Sequence, residues 1–186
     1  MFRGKSPDSQ VGFTLVELMI TVVIVAILMA FAAPGFRDLL ERNRLQSTSS
    51  NVYASLMFAR SEALKRNQWV VICKRNAGGT ACDTGTADGK WEEGWLVFAG
   101  GTPAVPDEIL NVREALSAGD TLRVVDDPND TPEKLNILTY GTDGSPSSEA
   151  VFVLCNSDAD TSTAREVLVE LTGRPRRLES TGNCAP

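Results

Sequence analysis

The chain has 186 residues and a formal net charge of −6, with 18 basic side chains, 24 acidic side chains and no histidine. This length is sufficient for one domain and an additional long helix. An acidic chain is a poor general binder of nucleic acid, so such binding needs a local basic patch. The lack of histidine excludes His-dependent triads and histidine metal sites. No motif for another chemistry is present, so we expect no enzyme activity, no cofactor and no metal.

An almost uninterrupted apolar run extends over residues 13–33. Its only polar side chains are Thr14, Glu17 and Thr21. About 20 such residues cross a bilayer as a helix. Arg3 and Lys5 precede the run, and basic residues favour the cytoplasmic side. We therefore predict a single crossing of a membrane by residues 13–34, with everything after it outside the cytoplasm.

Two simpler interpretations of this run are a cleaved secretory signal and an ordinary membrane anchor. A cleaved secretory signal has an apolar core of about 7–15 residues, which is shorter than the run found in this chain. An ordinary membrane anchor fits the length. It leaves Glu17 unexplained, however, because a carboxylate is costly to place in lipid.

The sequence Gly12-Phe13-Thr14-Leu15-Val16-Glu17-Leu18 resembles the processing site of type IV pilins and pseudopilins. The resemblance implies that a prepilin peptidase removes the leader 1–12 by cutting after Gly12, and that the new N-terminal Phe13 is N-methylated. It also implies that Glu17 pairs with the N-terminal amine of a neighbouring subunit as the filament assembles. Such a pairing supplies the partner that a buried carboxylate needs.

The helical pattern continues past Pro34 to about Lys65. Proline removes a backbone donor, so we expect the helix to bend there rather than to end, and a proline at this position also resembles pilins. Residues 35–66 are predicted to form an amphipathic half of the helix that packs on a globular head. The stripe at spacings of three and four consists of Leu45, Thr48, Val52, Leu56, Ala59 and Ala63.

Short β-type runs separated by turn residues fill the predicted head, residues 67–186. The predicted strands are 69–73, 95–98, 109–116, 122–125, 135–140, 150–155 and 166–171. Asp143-Gly144 and Thr172-Gly173 predict hairpin turns. The sequence thus predicts an α+β fold in which a long N-terminal helix packs on an antiparallel β-sheet head, and this is the pilin architecture.

All four cysteines follow the apolar run, at Cys73, Cys82, Cys155 and Cys184. None forms a C-x-x-C pair, which disfavours a zinc site. An even number in an oxidising compartment indicates disulfides, for which three pairings exist. We favour Cys73–Cys82, which closes a short Gly-rich loop, and Cys155–Cys184, which pins the C-terminal tail to a strand. Free thiols are the alternative.

Three short motifs resemble the GspH/FimT group of minor pilins and pseudopilins: Ala59-Arg60-Ser61-Glu62-Ala63, Asn67 and Thr172-Gly173-Arg174. This resemblance implies a low-abundance subunit that joins other minor and major pilins and initiates or caps a filament. It places the protein in the inner membrane with a periplasmic head, and later in the extracellular pilus. A minor pseudopilin of type II secretion is an alternative.

The segment Gly173-Arg174-Pro175-Arg176-Arg177 resembles the G-R-x-R element in the tail of DNA-binding FimT-type minor pilins. Proline confines the segment to a sheet edge or a loop, and in an extended segment Arg174 and Arg176 share one face. Guanidiniums contact phosphate oxygens bidentately. The predicted DNA-binding residues are Arg174, Arg176 and Arg177.

Two interpretations of these arginines remain open. In the first, they bind DNA backbone phosphates, either as an added activity of a structural pilin or as the main role of a DNA-uptake pilin in natural transformation. In the second, the segment is a solvated hairpin end whose arginines pair with neighbours such as Glu170 or Glu179. Tyrosine and tryptophan side chains are expected to pack in the core rather than to stack on bases.

Overall fold

The computed structural model describes residues 13–85, 90–116, 119–126, 134–159, 161–179 and 184. The chain divides into two compact units, residues 1–40 and residues 41–186.

Helix α1 spans Leu15–Arg66 and continues through Pro34. The bend predicted at this proline stays a prediction. The helix ends at Asn67, which adopts the left-handed conformation with φ 50°. The next N–H, that of Gln68, donates to the carbonyl of Ala63 at 3.3 Å. This arrangement is a common way to satisfy the last carbonyls of a helix, and asparagine tolerates the left-handed position better than most residues.

The first unit contains the apolar half of helix α1. Its described large apolar side chains are all exposed, from 46% for Val25 to 75% for Leu15. No helix within the described residues combines the length and the hydropathy that a membrane crossing needs. The predicted crossing by residues 13–34 is therefore not confirmed and stays a prediction.

The second unit contains the rest of helix α1 and, within its described residues, eight strands. These are β1 (Val70–Lys74), β2 (Trp95–Gly101), β3 (Pro106–Arg113), β4 (Thr121–Val125), β5 (Ile137–Tyr140), β6 (Ala150–Cys155), β7 (Arg165–Val169) and β8 (Pro175–Glu179). They form two antiparallel sheets of four strands each. The first sheet has the order β3-β2-β1-β5 and the second the order β4-β6-β7-β8.

One main core lies between the second half of helix α1 and the inner faces of the two sheets. The helix contributes a stripe with at most 2% exposure: Leu45, Val52, Leu56, Ala59 and Ala63. Thr48, the sixth predicted member, is half-buried. Trp91 is fully buried, packs edge-to-face on Phe152 and donates its indole N–H to the Leu135 carbonyl at 2.7 Å. The predicted packing of this helix half on an antiparallel head is confirmed.

A disulfide lies on the outer face of each sheet. Successive strand residues alternate between faces, so β1, β2 and β6 place every second side chain in one of two outer clusters. Cys73–Cys82 belongs to the outer cluster of the first sheet, and Cys155–Cys184 to that of the second. These are the two pairings that the sequence favours. The second bond joins β6 to a residue beyond the last strand.

Polar contacts fix the position of helix α1 on the second sheet. Arg44 donates from Nε and Nη2 to the two carboxylate oxygens of Asp120, at 2.8 and 2.6 Å. Asp120 is buried, so water does not solvate its carboxylate. The bidentate ion pair offsets the free-energy cost of burying that charge. One turn before Arg44 in helix α1, Glu41 accepts a hydrogen bond from the side-chain amide of Asn156.

The structure departs from the predicted elements at several strand ends and in the role of one predicted turn. Strand β8 was predicted only as an edge or a loop. It forms the edge of the second sheet, with Pro175 as its first residue, where no ladder donor is needed. Strand β3 begins and ends three residues earlier than predicted. Thr172-Gly173 joins the paired strands β7 and β8, whereas Asp143-Gly144 follows β5 and leads to a strand of the other sheet.

Candidate anion-binding groove

Arg60 connects helix α1 to two turns that are distant in sequence. Its Nε donates to the carbonyl oxygen of Gly144 at 3.1 Å, and its Nη2 donates to that of Thr172 at 3.0 Å. The first turn follows β5, and the second turn joins β7 to β8. Both acceptors are neutral carbonyls, and Arg60 has no acidic partner within the described part of the chain. The guanidinium therefore holds the two turns together, and no carboxylate in the described structure compensates its positive charge.

The two turns touch through glycine backbones. Gly173 has φ +75°, and a Cβ atom added to it would lie 1.9 Å from the carbonyl oxygen of Gly144. Only glycine fits such an approach without displacing the opposite turn. In that turn, hydrogen bonds from the hydroxyl and the N–H of Ser145 hold the pKa of Asp143 below its usual range, so its carboxylate stays charged. The contact between the two turns and the hydrogen bonds from Arg60 together fix the start of β8 on helix α1.

The arginines of strand β8 lie in different environments. Arg176 forms an ion pair with Glu170, and both side chains are partly exposed. The Arg177 guanidinium lies over the ring of Tyr53, 5.2 Å from its centroid, and donates to the Ser50 hydroxyl at 3.1 Å. These are a cation–π contact and a neutral hydrogen bond, which leave the charge of Arg177 uncompensated.

Arg174 precedes β8 and is exposed. It has neither a hydrogen-bond partner nor an ion-pair partner among the residues that the structure describes. Among the three predicted binding residues, Arg176 therefore has an acidic partner in the described structure, and Arg174 and Arg177 do not. An exposed, unpaired guanidinium retains all of its donors for a ligand.

These side chains surround a cavity of about 360 Å³ between helix α1 and β8. We call it the arginine groove. It is lined by Tyr53, Arg174, Pro175, Arg176 and Arg177. Within the described residues, no group of acidic or cysteine side chains is placed to hold a metal ion. The chemistry that the groove offers is the binding of an anion by guanidinium donors.

The structure brings the three predicted arginines together around one groove. Arg176 and Arg177 are consecutive in β8, so they project to opposite faces of the sheet, and both still line the groove. The pairing of Arg176 with Glu170 agrees with the alternative interpretation for that residue. The side chain of Glu179 lies outside the described residues.

Sequence reasoning missed the helix side of this groove. Ser50 and Tyr53 are three residues apart, so they lie on the same side of helix α1, and both contact Arg177. That spacing was the available signal, but it carries no information about which strand covers it. Arg60 was noted only as part of a short motif, and its two carbonyl partners are set by the tertiary structure.

The predicted processing and assembly residues belong to the first unit. Gly12 lies outside the described residues, and Phe13 is 70% exposed. Thr14 caps helix α1, because its Oγ1 accepts a hydrogen bond from the backbone N–H of Glu17 at 3.2 Å. A carboxylate in the first turn also interacts favourably with the helix dipole. Glu17 thus has a local position at the helix start that the sequence interpretation did not consider.

Two family descriptions match the sequence. Residues 48–173, more than half of the chain, match the type II transport protein GspH, and residues 9–33 match the prokaryotic N-terminal methylation motif. The fold is similar to the crystal structure of the type IV minor pilin FimU of Pseudomonas aeruginosa, with a TM-score of 0.60 and 21% sequence identity. The match covers 79% of this chain and 99% of that one.

Fimbrial proteins are similar in sequence over shorter stretches. The fimbrial protein EcpC of Eikenella corrodens is 35% identical over 96 residues, which are 52% of this chain and 60% of that protein. The type IV major alpha-pilin of Moraxella bovis is 33% identical over 85 residues, 42% of this chain and 53% of the pilin. The chain therefore spans about half the length of the curated relatives that it matches.

The contact between the two glycine turns leads to a stability prediction. Replacing Gly173 by Ala should lower the free energy of unfolding by about 2 kcal/mol or more, because the new methyl group collides with backbone and the positive φ strains alanine. Urea unfolding measures this loss. Gly78→Ala is the control, since the nearest atom to its Cβ lies at an ordinary 3.5 Å. Equal stability of the two variants would contradict the described packing.

Proposed function

This chain belongs to the GspH family, and we propose that it is a minor subunit of a type IV pilus that helps to start or cap the filament. The observation that carries the proposal is the change of environment along helix α1. Up to Leu40 the described large apolar side chains are exposed, and from Leu45 to Ala63 an apolar stripe is buried in the head. One helix thus has an apolar half that is exposed and a second half whose apolar stripe is buried in the head.

The exposed apolar half needs a cover that the described residues do not supply. Apolar surface of this extent is stable in lipid before assembly and among the equivalent helices of neighbouring subunits afterwards. Other minor and major pilins are therefore the proposed partners. A filament subunit of this kind is structural and needs no catalytic site.

The route to the filament follows from the N-terminal motif. The match of residues 9–33 to the methylation motif supports cleavage after Gly12 by a prepilin peptidase and methylation of Phe13. The proposed precursor lies in the inner membrane with its head in the periplasm, and the mature subunit lies in the extracellular pilus. Two disulfides fit that oxidising compartment.

Membership in a type II secretion pseudopilus is the main alternative. The family description names type II transport, whereas several sequence relatives are named as fimbrial proteins. Deletion of the gene separates the two. We expect loss of surface pili with normal protein secretion, and the reverse phenotype would assign the subunit to secretion.

The proposed assembly role of Glu17 is tested by removing its charge. Glu17→Ala should insert into the membrane normally and leave the melting temperature of the head unchanged, since Glu17 does not belong to the compact unit that forms the head. Incorporation into filaments should fall strongly, because the neighbour's N-terminal amine loses its counter-charge. Immunoblots of sheared filaments and of membranes measure the ratio.

Thr14→Ala is the matched control for this experiment. It removes the hydrogen bond to the Glu17 N–H and weakens the helix start by about 1 kcal/mol, but it keeps the carboxylate. We expect Thr14→Ala to assemble and Glu17→Gln to fail. Normal incorporation of Glu17→Gln, with failure of Thr14→Ala, would show that Glu17 acts only as part of the helix cap.

A second proposed activity is contact with DNA through backbone phosphates in the arginine groove. The observation in its favour is the charge balance of this surface. Arg174 and Arg177 line the groove and have no acidic partner among the described residues. These two guanidiniums form a local positive patch on a chain of net charge −6. DNA uptake in natural transformation is the corresponding main-role alternative.

Replacing Arg174 and Arg176 by Ala should abolish DNA binding without lowering the melting temperature, because exposed substitutions usually cost less than about 0.5 kcal/mol. Three arginines allow a log–log salt slope no steeper than about −3 for duplex DNA. Binding should show little sequence preference, since phosphates carry no base information. Gel shifts over a salt series measure all three properties.

Glu170→Gln provides the converse change. It releases Arg176 from its ion pair, so affinity should rise and the salt slope should steepen by about 0.9. Glu93→Gln, an exposed carboxylate next to the first sheet, is the matched control for the change in net charge. If Glu170→Gln and Glu93→Gln have the same effect, Arg176 makes no phosphate contact.

A further inference from the structure

A second cavity lies beside the arginine groove and shares one wall with it. It has a volume of about 230 Å³ and is lined by Gln46, Ser49, Arg165, Arg177 and Leu178. Arg177 lines both cavities. Neither the sequence motifs nor the proposed DNA contacts include Arg165, Ser49 or Gln46.

The strand register directs two arginines towards helix α1 at this cavity. Arg177 of β8 lies opposite Val167 of β7. The Val167 side chain is in the main core, so this is the helix-facing side of the sheet. Arg165 is two residues before Val167 and therefore projects to the same side. The two guanidinium groups thus flank one stretch of helix α1.

Arg165 is held in place by neutral acceptors. Its Nη1 donates to the carbonyls of Thr163 and Ala164 at 3.1 and 2.8 Å, and its Nε approaches Oε1 of Gln46 at 3.4 Å. It forms no ion pair within the described residues. The side chain is therefore oriented without being neutralised, which is the arrangement that a bound anion requires.

Ser49 adds a hydroxyl to the same cavity. The residue lines the cavity and is only 2% exposed, and its hydroxyl makes no hydrogen bond to any part of the chain that the structure describes. A hydroxyl at the cavity wall next to two guanidiniums can donate to a phosphate oxygen.

We propose that Arg165, Arg177 and Ser49 form a second phosphate site, which extends the arginine groove along helix α1. The ligand is a phosphodiester of the DNA backbone, so this inference rests on the proposed DNA contact. A bound strand then meets Arg174 and Arg176 first, Arg177 at the shared wall, and Arg165 at the far end. Four guanidiniums contact the backbone instead of three, so the steepest expected log–log salt slope is about −3.6 instead of the limit of about −3 for three arginines.

Fluorescence anisotropy over a KCl series tests this site. The experiment uses full-length protein in a neutral detergent and a 30-base-pair duplex of random sequence. Arg165→Gln should weaken binding about 5- to 10-fold at 0.1 M salt and reduce the salt slope by about 0.9, the value for one lost phosphate contact. Arg113→Gln is the control, because it removes the same charge from an exposed position on strand β3 of the other sheet.

Gln46→Glu tests the site without removing a side chain that supports the fold. The new carboxylate lies next to Arg165 Nε and should neutralise that guanidinium, with the same loss of affinity and slope. Asn51→Asp is its control. Asn51 is exposed on the same helix, and five residues at 100° each turn it away from the cavity. If Arg165→Gln fails to fold, Gln46→Glu decides the result.

The outcomes separate this inference from the function on which it rests. If the wild-type protein binds no duplex at low salt, the DNA contact itself fails. If it binds, and the Arg165 and Gln46 variants equal their controls, the second site is overturned and the DNA contact stands. A preference for phosphatidylglycerol over phosphatidylcholine vesicles that is lost in Arg165→Gln and kept in Arg113→Gln, without any binding of the duplex, would assign the site to lipid phosphate and also overturn it.

Discussion

The buried stripe of helix α1 is the contact on which both sheets of the head depend. No strand of one sheet pairs with a strand of the other in the described structure, so hydrogen-bond ladders do not join the sheets. The helix and the core around it are what the sheets have in common. Ala59 and Ala63 are completely buried in that stripe, and any larger side chain there would have to displace packed neighbours.

Polar contacts set where this helix lies along its own axis. Arg44 holds Asp120 at one end of the head, and Arg60 holds the two glycine turns further along. At the last turn, Arg66 pairs with Glu62 and with Glu108 of strand β3. The hydrogen bond from Arg66 is the main cause that keeps the pKa of Glu62 below its usual range.

The position of the helix in turn shapes the candidate binding surface. One wall of the arginine groove is the helix, through Tyr53, and the other is the edge strand β8. Because Arg60 of the helix holds the turn before β8, the two walls of the groove are fixed relative to each other. This coupling explains how a short tail segment can present several guanidiniums on an acidic protein.

The sequence predicted the helix and the strands well where one-dimensional patterns determine them. The buried stripe follows from spacings of three and four, and Pro175 marks an edge because it lacks a donor. Local patterns carry no information on which strands share a sheet, so the division into two sheets was not predicted. The contact between Tyr53 and Arg177 spans most of the head in sequence, and it depends on that same unpredicted arrangement.

The most direct test of the central claim, that this chain is a processed filament subunit, is the N-terminal sequence of protein recovered from sheared surface pili. We expect mass spectrometry of that fraction to find a chain that begins at Phe13 with a methylated amine. A filament-associated chain that still begins at Met1 would contradict the claim. So would a protein that stays entirely in the membrane of cells with pili.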